Sequence, residues 1–297
     1  MGFILYSPMK NELTVITDEF SNEFDDVVEW VANKGIKWVE LRNVWLANVA
    51  EMSDQFAADA KDILDDAGLK VSALASPFLK CPPPGYDNPK KMSYSENFAY
   101  NLSKFDRLME LADHFNTKHI RIFGFHIPDE IMKPIEEWDT WDVYNSWVHS
   151  VKELSERAKP RNKYLIAETE CGLVFDTASA IKIFKAVNHS NFSILYDYAN
   201  VTRTVGPSGI LDENMTKELS KITWYNHVKD TKFSDKGHYQ CVLGTGDLNW
   251  QDFIRWMNKH SPFPELFWSV ETHAGKGDEW NKSVRTTEKL IEFLQNI

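Results

Sequence analysis

Eight short runs rich in β-branched and aromatic residues recur along this chain, each followed by a segment of helical period. That alternation constrains the fold more than any other feature. The runs are Leu13–Thr17, Lys37–Leu41, Lys70–Ser76, Lys118–Phe123, Tyr164–Glu168, Phe192–Asp197, Ile222–Val228 and Leu266–Glu271. Consecutive starts lie 24 to 48 residues apart, which suits strand–helix units with some longer loops. After the first run, Phe24, Val27, Val28 and Val31 share one helical face, and Gly35 supplies a stop. After the second, Phe56, Ala60, Ile63 and Leu64 do the same before Gly68. Ser93 to Glu96 fits a capping box ahead of Phe98, Leu102, Phe105, Leu108 and Phe115. Asp176 is placed to cap a helix carrying Ile181, Ile183 and Phe184, and Leu290, Ile291 and Leu294 belong to the last helix.

Eight such units in 297 residues predict an α/β fold, a (β/α)8 TIM barrel forming a single domain over residues 1–297, with an open doubly wound sheet as the structural alternative. An apolar fraction of 43% excludes a disordered chain. The stretch Pro82–Lys91 (PPPGYDNPKK) reads as a long loop at the carboxyl ends of the strands. Cys81, Cys171 and Cys241 are odd in number and far apart, against a disulfide framework or a structural zinc site. The start, MGFILYSPMK, holds a four-residue apolar run without a small-residue cleavage pattern, so no signal peptide is expected, and no stretch is long enough to span a membrane. A reducing cytoplasm is the expected compartment. The formal net charge of -11 disfavours nucleic acid and anionic membranes as partners.

In a closed parallel barrel, chemistry collects at the carboxyl ends of the strands. The ends of runs five to eight carry Glu168, Asp197, His227 and Glu271. Each alone reads as a solvated rim residue or a satisfied core group; their recurrence at equivalent places in consecutive strands changes that reading. Carboxylates pointing into one mouth repel, and a divalent cation removes the repulsion. Three carboxylates and an imidazole suit one hard ion, Mn2+ or Mg2+ first, with Co2+ or Zn2+ also acceptable.

Seven short segments resemble the xylose isomerase-like, sugar phosphate isomerase/epimerase superfamily: Ile16–Phe20 (ITDEF), Val39–Arg42 (VELR), Ser76–Phe78 (SPF), Ile166–Glu170 (IAETE), Tyr196–Asn200 (YDYAN), Asn226–Asp230 (NHVKD) and Ser269–His273 (SVETH). The resemblance implies the same four metal ligands, Glu168, Asp197, His227 and Glu271. It also implies an isomerase or epimerase that works on a small sugar or polyol through a cis-enediolate, with Glu168 and Glu271 moving the protons. Arg42, Ser76, Arg121, Glu170, Asn200, Arg203, Lys229 and His273 are the candidate substrate residues. For Arg42 a structural salt bridge weighs equally, and Asp230 reads at least as well as a loop-holding residue. His126 is weighed as a functional histidine against a surface one, and Trp45, Trp224 and Trp268 as sugar-stacking rings against core. The same site suits an inosose-type dehydratase or a 3-keto-sugar lyase. An apurinic-site endonuclease needs more histidines and a basic face, whereas Thr17, Glu40 and Ser76 stand at the early strand ends. A non-catalytic sugar-binding barrel would be expected to lack a ligand. A homo-oligomer is compatible with the sequence, which marks no interface.

Overall fold

A computed structural model describes residues 10–297; the amino-terminal apolar run weighed against a signal peptide lies outside them. The eight predicted runs coincide with eight strands: β1 (Lys10–Ile16), β2 (Trp38–Leu41), β3 (Lys70–Phe78), β4 (His119–Ile122), β5 (Tyr164–Glu168), β6 (Phe192–Asp197), β7 (Thr223–Val228) and β8 (Glu265–Val270). Each pairs in parallel with the next in sequence, and β8 returns to pair with β1 from Lys10↔Glu265 to Val15↔Val270. That closing ladder decides for a (β/α)8 TIM barrel against an open sheet.

Side chains alternate between the two faces of a strand. On the inner face, Ala73, Ile166, Leu195, Tyr225 and Phe267 form an apolar cluster. Two residues further along the same strands come Glu168 after Ile166, Asp197 after Leu195, and His227 after Tyr225. The polar layer is therefore stacked directly above an apolar plug. The outer strand faces pack with the helices into the larger core.

The helices are α1 (Phe24–Asn33), α2 (Asp54–Asp66), α3 (Phe98–Ser103), α4 (Phe105–His114), α5 (Asp142–Ala158), α6 (Thr177–Val187), α7 (Tyr198–Val205), α8 (Glu213–Leu219), α9 (Trp250–His260) and α10 (Glu279–Gln295). In α1 the four expected residues are buried. In α2 the buried face is Ala57, Ala60 and Leu64, while Phe56 is 37% exposed, because the turn starts at Ser53 and rotates Phe56 outward. Asp176 caps α6 by accepting from the Ser179 amide. Ser93 does not cap α3: Asn97 does, accepting from the Tyr100 amide. Two hairpins were not foreseen, Asn43–Val44 with Ala47–Asn48 and Asp230–Ser234 with Gly237–Cys241, both in loops at the carboxyl ends of strands. All three cysteines are free. Among the described residues no helix is long and apolar enough to cross a membrane.

Candidate metal centre

Glu168, Asp197, His227 and Glu271 each offer one ligand atom, and these atoms lie within 4.8 Å of one another. All four side chains are buried. His227 Nδ1 is 3.4 Å from Glu168 Oε1, 3.3 Å from Glu271 Oε2 and 3.9 Å from Asp197 Oδ2. Two of the converging atoms, His227 Nδ1 and Asp197 Oδ2, have no hydrogen-bond partner. Buried polar atoms are nearly always satisfied, and Asp197 Oδ2 has at least the Lys229 ammonium beside it, so the unpartnered imidazole nitrogen among carboxylates suits a group that can take its lone pair. Oxygen donors with one imidazole are a donor set for a divalent cation.

The charge balance points the same way. Burial and the Glu271 carboxylate raise the Glu168 pKa, but the Arg121 guanidinium and His227 together outweigh them and hold it down at about 2. Burial likewise opposes ionisation of Glu271, which Lys229, His227 and His273 together keep well below the usual range. At Asp197, burial and the carboxylates of Glu271 and Glu168 overcome Lys229 and push the pKa up to about 6. The centre thus holds more negative charge than its own cations neutralise.

Beneath these four side chains sits Glu40, completely buried and named in the sequence analysis only as a place where a nuclease ligand is absent. Both of its oxygens lie 3.2 Å from His227 Nε2. Oε2 also accepts from Tyr225 Oη at 2.9 Å and from Ser269 Oγ at 2.5 Å. A carboxylate on the far ring nitrogen holds a proton at Nε2, so a cation bound among Glu168, Asp197 and Glu271 would take the place of any proton on Nδ1 and meet its lone pair. The signal that could have found Glu40 is an acid inside the apolar run KWVEL. Glu19 was also missed. It is buried, accepts from the amides of Thr272 and His273, and pairs with Arg42 at 2.6 Å, fastening the end of β8 to β1.

The cations are all committed. Arg121 Nη1 donates to Glu168 Oε2 at 2.9 Å, and its other nitrogens donate to the carbonyls of Ala75 and Ser76. Arg42 reaches Asp18, Glu19 and Glu271, so the salt-bridge reading describes its position. Lys229 is fully buried, donating to Glu271 Oε2 at 2.5 Å. It also lies 2.5 Å from Asp197 Oδ2, a charge contact without hydrogen-bond geometry.

Other candidates spread outward from this layer. Asn200 donates to Glu168 Oε1 at 3.2 Å. His273 is 48% exposed with Nε2 3.3 Å from Glu271 Oε2. Glu170 pairs with Lys80 at 2.7 Å higher in the mouth, and Arg203 is exposed on α7. Ser76 is drawn away: its hydroxyl is buried and donates to the Arg121 carbonyl at 2.5 Å. His126 is exposed. The tryptophans are structural. Trp224 is the second residue of β7, at the opposite end of the barrel, Trp268 is buried against Phe253 of α9, and Trp45 packs on Phe24 and Phe56. Asp230 holds a loop by accepting from the amides of Gly244 and Gly246.

Comparison with known proteins agrees with this architecture. A family model for xylose isomerase-like TIM barrels matches residues 28–297, and the chain belongs to that family. No curated protein matches its sequence. Among solved structures, a xylose isomerase-like TIM barrel protein from Mycobacterium smegmatis in complex with magnesium is 15% identical, with 97% of each chain covered and a TM-score of 0.67. The IOLI protein with a bound zinc atom is 18% identical, covering 96% of this chain and 98% of the other at a TM-score of 0.71. A D-allulose 3-epimerase from Methylomonas sp. is 13% identical, covering 98% and 99% at a TM-score of 0.67.

Proposed function

We propose that this chain is a divalent-metal-dependent isomerase or epimerase that acts on a ketose or related polyol through an enediolate. The observation carrying this reading is the convergence of three carboxylates with an unpartnered imidazole nitrogen on strands β5 to β8. Glu168, Asp197, His227 and Glu271 would hold the ion, Mn2+ or Mg2+ by the predominance of oxygen donors. When bound, the ion supplies Lewis-acid polarisation of substrate oxygens and positive charge where negative charge develops.

The protein groups divide the rest of the work. Glu168 and Glu271 come from strands three apart, so they approach a bound sugar from different sides. Cations keep both ionised, the form a base requires: Arg121 for Glu168, Lys229 for Glu271. One takes the proton from the carbon beside the carbonyl and the other returns it. Asn200 and Arg121 fix the rotamer of Glu168, and Lys229 and Arg42 fix Glu271. Lys229 also favours a second reading, an inosose-type dehydratase or 3-keto-sugar lyase, because a buried ammonium beside the bases is placed to steady a departing oxygen.

Glu168→Gln and Glu271→Gln should each abolish turnover on a panel of ketoses, inososes and 3-keto-sugars. They should also abolish exchange of the substrate's carbon-bound proton with deuterated water. Retained exchange in both variants rejects the assignment; loss of a hydroxyl by the parent protein would select the dehydratase.

A further inference from the structure

The upper mouth carries a charge imbalance that the metal centre does not use. Glu170 and Cys171 follow β5 on a loop pinned against the β4 side, where the Leu173 amide donates to the Gly124 carbonyl at 2.7 Å and the Cys171 thiol donates to Phe125. The approach is close enough that only glycine fits at position 172: a Cβ there would lie 2.1 Å from the Gly124 oxygen, at a positive φ of 60°. On this fixed edge Glu170 holds Lys80 at 2.7 Å, and the Lys80 ammonium stands 4.5 Å above the Phe123 ring. The opposite face of the edge is α7. Asn200 on α7 donates to Glu168, and Arg203, three residues on, shares its helical face. Burial raises the Cys171 thiol pKa, and Lys80 and Arg203 both act against it, so both cations stand near this edge. Arg203 is exposed, and among the described residues it forms no salt bridge. On this edge two cations face the single carboxylate of Glu170, in a chain whose net charge is -11.

We propose that Lys80 and Arg203 form an anion-recognition edge above Glu168, so that the substrate carries a carboxylate or phosphate remote from its reacting carbons. This rests on the isomerase or epimerase reading. A free guanidinium with a lysine anchored by a carboxylate and an aromatic face is a recognised way to meet such oxygens. The excess charge would also steer an anion past an otherwise acidic surface.

The test is calorimetric titration of the Mn2+-loaded full-length protein with sorbitol, gluconate and sorbitol 6-phosphate, repeated on Arg203→Met and Lys80→Met. The expected result is that gluconate or sorbitol 6-phosphate binds about tenfold or more tighter than sorbitol, the better of the two naming the anion. In Arg203→Met that advantage should shrink to about twofold. Because a carboxylate can bind the ion by itself, an anion preference that survives unchanged in both variants overturns the proposal. So does equal affinity for all three ligands. If sorbitol binds only with metal present and without anion preference, the edge is rejected and the functional reading stands. If no polyol binds in a metal-dependent way, both fall.

Discussion

Replacing Glu40 by glutamine should weaken divalent-metal binding by about 10–100-fold without unfolding the protein. Two hydroxyls, from Tyr225 and Ser269, donate to Glu40 Oε2. Tyr225 is also tied to Ser72 at 2.8 Å, which limits its freedom to turn. In the variant the amide oxygen stays where these donors converge, and the amide NH2 takes the Oε1 position, 3.2 Å from His227 Nε2. The amide oxygen, also 3.2 Å from Nε2, already accepts from the Tyr225 and Ser269 hydroxyls, so Nε2–H is left facing the amide NH2 and the imidazole moves its proton to Nδ1. That removes the lone pair directed at Glu168, Asp197 and Glu271. A lost charge-assisted hydrogen bond contributes about 1.5–3 kcal/mol, which corresponds to roughly one to two decades in affinity. Chelator-competition titration with Mn2+ at pH 7.5, beside thermal melts of both proteins, reads the effect. An affinity within about threefold of the parent, at an unchanged melting temperature, would refute the tautomer argument.

Two predictions concern stability. His119 begins β4 at the base of the barrel, with Nδ1 2.8 Å from the Ser72 carbonyl and Nε2 receiving the Trp224 indole N–H at 3.1 Å. Burial keeps its imidazole neutral, with a pKa lowered to about 4. The unfolded chain takes up that proton near pH 6.5 and the folded one does not, so the stability is complete above about 6.5 and lost as pH falls to about 4. The loss is at most about 3 kcal/mol. Denaturant melts of His119→Gln across this window should show a shallower fall than the parent; an identical slope would count against it. Gly246→Ala should lower the melting temperature by several degrees. Its Cβ would stand 2.2 Å from Asp230 Oδ1 and 2.6 Å from the Thr231 carbonyl, overpacking worth about 1–3 kcal/mol. Calorimetry showing no change would mean that the loop yields freely.

The barrel was readable because strand and helix periods are local properties of the chain. The four converging residues were readable for a related reason: each ends an apolar run, and a period of two carries it to the inner face. Arg42 shows the limit of such reading. Its partners Asp18 and Glu19 lie in the preceding unit, whereas Glu271 is 229 residues away and becomes a neighbour only when β8 closes on β1. Ser76 failed for a different reason. Residues Ala73 and Leu74 of β3 align with His119 and Ile120 of β4, but Phe78 then aligns with Ile122, and this irregular register turns the hydroxyl toward backbone.

Sequence by itself determined the eight units, their order and which polar side chains reach the inner layer, because hydrophobic period sets the facing of every strand. The tertiary structure alone decided how those side chains are partnered. Glu40 and His227 are 187 residues apart, and only closure of the barrel puts the carboxylate beneath the imidazole and selects which nitrogen faces the carboxylates of Glu168, Asp197 and Glu271. Proton placement and charge balance depend on distances across the barrel, and no local pattern encodes those.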